Sequence, residues 1–186
     1  MAEHVCPWWM GYFLASPIRG WLMEKPEELL ADYVKAGMTV LEPGPGMGFF
    51  TLPLAKMVGP RGRVIAVDIQ PKMLEALQRR SRKAGFQDRV ETRLVQPDRM
   101  DLDDLNGKVD LVLAFAVVHE TPSAADFFSR MAASLKPGRC LFFAEPKGHV
   151  NEGDFEHELE AARAAGLEPV DHPKVRRSHA IVLRKS

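Results

Sequence analysis

Cysteine is nearly absent from this chain. There are two among 186 residues, Cys6 and Cys140, 134 positions apart. Without a Cys-x-x-Cys pair, a disulfide framework and a cysteine-based zinc site are both excluded, and no metal is expected. A reducing, cytoplasmic setting fits that usage. Surplus charge is missing too: 25 basic and 25 acidic residues give a formal net charge of zero. No global positive field would gather nucleic acid, so none is expected as a partner. The basic tail (Lys174, Arg176, Arg177, Arg184, Lys185) is local and reads as the solvated side of an edge hairpin. No apolar run approaches the ~20 residues of a membrane span. Val5–Ala15 is apolar, but no Lys or Arg precedes it and prolines at 7 and 17 interrupt it, which argues against a signal sequence. Repeats, low-complexity tracts and linkers are also lacking, so a single globular domain is expected.

What the chain does have is concentrated in residues 38–50, Met-Thr-Val-Leu-Glu-Pro-Gly-Pro-Gly-Met-Gly-Phe-Phe. An apolar run reaches Glu42, then three glycines two apart, Gly44, Gly46 and Gly48, with Pro45 between the first two. A strand running into a tight turn that opens a helix has this pattern. Glycines there permit positive φ and close approach of a ligand, and the helix start offers free N–H groups. The dinucleotide fingerprint G-x-G-x-x-G does not fit, because the third glycine comes one residue early and Phe49 stands in its place. Glu42 also opposes a pyrophosphate: two like charges ~4 Å apart at an effective dielectric of ~20 repel by about 4 kcal/mol. A ligand carrying an ammonium and a sulfonium, as S-adenosylmethionine (SAM) does, is attracted instead.

Strand and helix signals alternate along the rest of the chain. Pro26, Glu27 and Glu28 start a helix that Gly37 ends. Strands are expected near 38–42, 63–68, 89–95, 109–118 and 139–144. Helices are expected near 49–58, 71–84, 123–135 and 152–165, the third stopping at Lys136-Pro137-Gly138. Two closing β-like runs, 167–172 and 180–184, have no helix between them and should pair antiparallel. The fold class is therefore α/β, a doubly wound, Rossmann-like and mostly parallel sheet with an antiparallel terminal strand. Residues 1–23 hold all three tryptophans and one of the two tyrosines. They read as an N-terminal aromatic flap or lid ahead of a domain spanning 24–186.

The pattern Glu42-x-Gly44-x-Gly46-x-Gly48 resembles motif I of the class I SAM-dependent methyltransferases, and the resemblance extends from about Glu27 to Ser186. It implies a seven-stranded sheet, SAM as cofactor and Glu42 at the methionine end of the ligand. Asp68, 20 residues past Gly48, is placed to accept both ribose hydroxyls, and Ile69 to pack on the adenine. Asp98 stands where the family has an acid for the adenine amino group, although Pro97 replaces the usual glycine before it.

After the fourth strand comes Ala116-Val117-Val118-His119-Glu120, similar to the corresponding segment of small-molecule methyltransferases of the quinone-biosynthesis type. His119 is the candidate general base, with a pocket-shaping role as the alternative. Glu145, Lys147 and His149 follow the fifth strand and are candidates to line the acceptor pocket. No Asp/Asn-Pro-Pro-aromatic motif is present, which argues against methylation of nucleic-acid base amines, and two cysteines are too few for arsenite methylation. The expected activity is methyl transfer from SAM to a small, apolar or aromatic acceptor by a monomer or homodimer. A SAM-binding regulatory or partner protein and a protein side-chain methyltransferase remain as alternatives, and an NAD-dependent oxidoreductase is disfavoured.

Overall fold

The computed structural model describes residues 25–96 and 99–186. The flap expected at 1–23 and the adenine contact expected of Asp98 lie outside the described residues. Seven strands form one mostly parallel sheet with an antiparallel terminal pair, in the expected class. The described residues divide into two compact units, 25–96 and 99–186.

In the first unit a short helix α1 (Pro26–Leu30) leads to β1 (Thr39–Pro43), α2 (Thr51–Met57), β2 (Arg63–Asp68), α3 (Pro71–Ala84) and β3 (Val90–Leu94). The three strands run parallel in the order 3-2-1, with Glu42 beside Ala66 and Asp68 beside Leu94. Pro71 suits the first helical turn of α3, whose missing N–H would be unpaired anyway. Gly85 closes that helix at φ 75°, its N–H donating to Arg82 O. Met73, Leu74, Ala76 and Leu77 form the buried stripe of α3, and β2 is buried from Val64 to Asp68. The first helix is shorter than its sequence suggests: it ends at Leu30, and turns at 31–33 and 36–37 lead on to β1.

The second unit comprises β4 (Val109–Phe115), α4 (Ala124–Ser134), β5 (Leu135–Pro146), α5 (Glu152–Ala164), β6 (Leu167–Asp171) and β7 (Ser178–Lys185). The order is 4-5-7-6, with β4 and β5 parallel and β7 antiparallel to both β5 and β6. Ser123 and Asn151 cap α4 and α5, accepting from the amides of Asp126 and Asp154 at 3.1 and 3.0 Å. Phe127, Phe128, Phe142 and Phe143 are fully buried, and Phe128 meets Phe143 edge to face at 5.2 Å.

Two further boundaries differ from the expected ones by more than two residues. β4 ends at Phe115, three residues early, because Ala116 turns to φ 56°. β5 begins at Leu135, ahead of the expected stop signal Lys136-Pro137-Gly138. Between Val109↔Leu135 and Leu111↔Cys140 the register shifts, so two steps of β4 face five of β5. Asp110, buried, fastens that irregular stretch by bonding Lys136 at 2.7 Å, with Arg139 at 3.5 Å.

Candidate functional site

Each unit brings one group of candidate residues together at the carboxyl ends of its parallel strands. In the first unit the glycine turn takes the conformation for which its sequence is suited: Gly44, Gly46 and Gly48 have φ of 67°, 53° and 90°. Gly44 N–H donates to Val67 O at 2.9 Å, tying the turn to β2. Arg80 on α3 donates to Met47 O at 2.6 Å and holds the turn from the other side. Gly48 is needed for packing, since a Cβ there would stand 2.6 Å from Leu77 Cδ1. At Gly46 the φ of 53° already accounts for the glycine, and a Cβ there would meet nothing within 4 Å. Its face opens onto space that a ligand could fill.

Two carboxyl groups serve this turn. Glu42 is 3 % exposed, and its Oε2 has no hydrogen-bond partner; neither has the neighbouring buried hydroxyl of Thr51. Burial pushes Glu42 up to about 7, with the Thr51 hydroxyl pulling the other way and Asp68 adding a smaller push upward. The Thr51 hydroxyl thus lies near enough to favour the charged form without meeting the geometry of a hydrogen bond. Asp68 is raised to about 6, again chiefly by burial, opposed by the backbone amides of Gln70, Ile69 and Gly46. The Gln70 N–H reaches Asp68 Oδ1 at 2.8 Å. Ile69 is half-buried beside it.

A buried acid lacking a donor is expensive unless a ligand supplies one. An ammonium would satisfy Glu42 Oε2, a pair of hydroxyls would suit Asp68, and the open face of Gly46 admits a close approach. The residues present therefore fit SAM, and a pyrophosphate fits them poorly.

In the second unit, the turn after β4 wraps around Glu145, the penultimate residue of β5, which is fully buried. Glu145 Oε1 accepts from the amides of Val117 and Val118 at 3.2 and 2.7 Å. Its Oε2 pairs with His119 Nδ1 at 2.5 Å. Since Glu145 is the acceptor for two amides, it also accepts from His119, which places the donor at Nδ1 and leaves Nε2 as the open ring nitrogen. Nε2 lies 4.0 Å from Glu120 Oε1, and the ring of His149 stacks on His119 at 5.6 Å. The bond to Glu145 raises the His119 pKa; burial lowers it, and the charges of Glu145, Glu120 and Glu158 raise it further.

Of the pocket candidates from the sequence, Glu145 and His149 join His119, whereas Lys147 is exposed on the neighbouring turn. Glu158 was not anticipated. It is buried on α5, its Oε2 has no partner, and burial raises it to about 7. Its position on the stripe Phe155, Glu158, Leu159, Ala162 was the available signal, an acid where helical spacing calls for an apolar residue. Among the described residues no helix is long and apolar enough to cross a membrane, and no group of three or more His, Cys, Asp or Glu could hold a metal ion.

Residues 40–138 match the family model of a methyltransferase domain. Over 104 residues the chain is 34 % identical to a demethylmenaquinone methyltransferase of Lactobacillus johnsonii, covering 56 % of this chain and 42 % of that one. Over 85 residues it is 42 % identical to a catechol O-methyltransferase of Mycobacterium tuberculosis, covering 45 % and 38 %. The chain thus spans less than half the length of these curated relatives. The solved structure of a SAM-dependent methyltransferase from Aquifex aeolicus superposes with a TM-score of 0.85 at 25 % identity, covering 98 % of this chain and 100 % of that one.

Proposed function

The chain belongs to the methyltransferase-domain family, matched over more than half its length, and on that premise we propose that it transfers a methyl group from SAM to a small, apolar or aromatic acceptor. The observation that carries the reading is the buried, unpartnered Glu42 Oε2 beside a glycine turn whose Gly46 face is open. SAM supplies an electrophilic methyl group on a sulfonium whose leaving group is a neutral thioether.

The chain's own residues do the rest. Glu42 receives the ammonium at the methionine end, and that charge match favours SAM over phosphate-bearing nucleotides. Asp68 accepts from the ribose hydroxyls, and Ile69 offers an apolar face to the adenine. The glycine turn lets the backbone approach without a Cβ in the way. Methyl transfer is an in-line displacement, so alignment of acceptor and methyl group at ~3–3.5 Å supplies much of the rate. A nucleophile that must also lose a proton has His119 Nε2 as its acceptor, with Glu145 holding the ring. An aromatic acceptor is supported by relatives whose names specify demethylmenaquinone and catechol.

Calorimetry with the full chain tests this reading. SAM and adenosylhomocysteine should bind saturably and NAD should not. Micromolar affinity for NAD would overturn it.

A further inference from the structure

The sheet has two edge strands, β3 and β6, and they are guarded unequally. In β6, Pro169 brings no N–H to the edge, and the register slips between Pro169 and Asp171. A proline and an irregular ladder both discourage the addition of another strand. β3 has neither. Val90–Leu94 pairs with β2 in unbroken register, wholly within the first unit.

Two bonds that bracket this ladder show where the free backbone groups of β3 point. Val64 N–H donates to Arg89 O at 2.7 Å, and Val95 N–H donates to Asp68 O at 3.0 Å. Arg89 and Val95 thus face β2, and by the two-residue alternation of a strand so do Glu91 and Arg93. Val90, Thr92 and Leu94 turn their N–H and C=O groups outward. The Val90 amide is taken by Phe86 O at 3.1 Å. Among the described residues the amides of Thr92 and Leu94 have no partner. Leu94 is besides a large apolar side chain left 61 % exposed.

The residues of this edge fit a copy of themselves. Val90-Glu91-Thr92-Arg93-Leu94 is self-complementary about Thr92 when a second β3 runs antiparallel to it. Thr92 then faces its own mate, Glu91 faces Arg93, and Val90 faces Leu94. Outward backbone meets outward backbone: the two Thr92 residues exchange N–H to O bonds, and each Leu94 amide reaches a Val90 carbonyl. Charge fixes this register against its neighbours. Sliding by two residues sets Glu91 on Glu91 in one direction and Arg93 on Arg93 in the other. The helix above repeats the pattern. Gln78 of α3 donates to Thr92 Oγ1 at 2.6 Å, so the same two-fold axis passes beside Gln78. Glu75 and Arg82 are exposed about one helical turn to either side of it, so the acid of one copy comes opposite the base of the other.

We propose that β3 is a docking edge for a second copy of this chain, joined antiparallel about a two-fold axis at Thr92 into one continuous sheet. Such a pair uses both β3 edges at once, and the guarded β6 edges stop it from growing further. The seam is short, which suits a reversible dimer. It does not depend on the methyltransferase reading.

Sedimentation velocity of the full chain at rising concentration tests this. Native protein should pass from monomer to dimer with a midpoint on the order of 10–100 µM, and added salt should weaken the pair. Glu91→Arg sets like charges opposite each other at two symmetry-related points, and Arg93→Glu does the same with the other sign. Each variant alone should dissociate about tenfold more readily. Mixed in equal amounts, the two should form a heterodimer, because the basic strand of one then faces the acidic strand of the other. Both single variants also lose the Glu91–Arg93 contact of 2.6 Å within the chain, and that loss cannot produce recovery on mixing. Exchanging both charges, Glu91→Arg with Arg93→Glu, should restore the native midpoint.

Amide hydrogen exchange at Thr92 and Leu94, followed by NMR, identifies any other occupant of the edge. Protection there should grow with protein concentration. Protection unchanged by dilution means that the chain covers its own edge, and it overturns the proposal. So does a monomer at every concentration up to about 0.5 mM, a dimer indifferent to both reversals, or no recovery when the folded variants are mixed. Where a reversal prevents folding, Leu94→Ser leaves the charges in place and should weaken the dimer about threefold. An unchanged midpoint in that variant overturns the seam.

Discussion

Two buried glutamates stand next to last in their strands, each followed by proline, and the chain treats them in opposite ways. Leu41-Glu42-Pro43-Gly44 closes β1, and Ala144-Glu145-Pro146-Lys147 closes β5. Glu145 is surrounded by its own protein: two amides and an imidazole saturate its carboxylate. Glu42 is as deeply placed, yet one of its oxygens meets no donor. The difference lies in the turn that leaves the neighbouring strand. After β4 the backbone turns at Ala116 and presents the amides of Val117 and Val118 to Glu145. After β2, the amides of Ile69 and Gln70 turn back onto Asp68, the unit's other buried acid, and Glu42 Oε2 is left without a donor. A carboxylate satisfied by its fold is part of the architecture, whereas Glu42, left wanting, is a binding group in the function proposed above.

The largest test of that contrast is removal of the saturated acid. Glu145→Ala strands two buried amides and unties His119, and breaking a buried ionic constellation from one side costs roughly 3–5 kcal/mol. Urea unfolding should show that loss. SAM affinity, measured by calorimetry where the variant stays folded, should change by less than about threefold, or ~0.7 kcal/mol. A stable Glu145→Ala protein would mean that its three contacts do not organise the turn.

The unsatisfied acid should behave in reverse. Glu42→Gln removes a charge that has no protein partner on Oε2, so stability should not fall, while a charge-assisted bond to SAM worth roughly 1.5–3 kcal/mol is weakened. Asp68→Ala should likewise weaken SAM about ten- to a hundredfold while the fold stays intact, in line with a loss of roughly 1.5–3 kcal/mol. An unchanged dissociation constant in either folded variant would remove that residue from the cofactor site.

The contrast also tells how far the sequence could be read. Glu42, the three glycines and Asp68 act through local backbone and short-range spacing, so their turn and their burial were legible from the chain alone. Proline at the start of α3 and glycine at its end were legible for the same reason. The Glu145 constellation was not, because it joins residues 26 to 28 positions apart, brought together only by the pairing of β4 with β5. The extended course of Leu135–Gly138 was hidden for a related reason. Lys-Pro-Gly signals a stop for α4, but the buried Asp110 draws Lys136 into the sheet. Glu158 was missed because an acid on a helix reads as solvent-facing until its neighbours are known.

Acidity gives a test of intermediate size. Glu42 stands at about 7 in the fold against 4.5 in an ordinary setting, and Asp68 at about 6 against 3.8. The folded state thus holds more protons than the unfolded chain between those values. Stability from this source is fully present below the lower value of each pair and is lost as pH rises through the higher one. Ligand-free protein should therefore be less stable at pH 8 than at pH 5. The part due to Glu42 is on the order of 2 kcal/mol, given the size of its displacement and partial relaxation of the site. Glu158 and His119 are raised as well and add slope of the same sign. The Glu42 part is isolated by comparing native protein with Glu42→Gln in urea unfolding at both pH values. Equal slopes for the two proteins would show that Glu42 titrates normally.

The smallest effects come from exchanging the backbone devices of the two regions. Each reaches its acid through a residue in the left-handed region, Gly46 at φ 53° in the first unit and Ala116 at φ 56° in the second. Left-handed backbone costs an alanine about 1–2 kcal/mol and a glycine almost nothing. Gly46→Ala should therefore lose about 1 kcal/mol of stability from strain alone, since its new methyl group meets nothing within 4 Å. Its SAM affinity should fall by more than the strain explains if the open space belongs to the ligand, because the methyl would occupy it. Ala116→Gly runs the other way. Strain relief of about 1–2 kcal/mol is offset by roughly 0.4–1 kcal/mol of extra freedom in the unfolded chain, so stability should rise slightly, by up to about 1.6 kcal/mol. The paired measurement is denaturation of both variants, with calorimetry on the first. If Gly46→Ala binds SAM as the native protein does, the open face of Gly46 is ordinary surface and the cradle must be drawn without it.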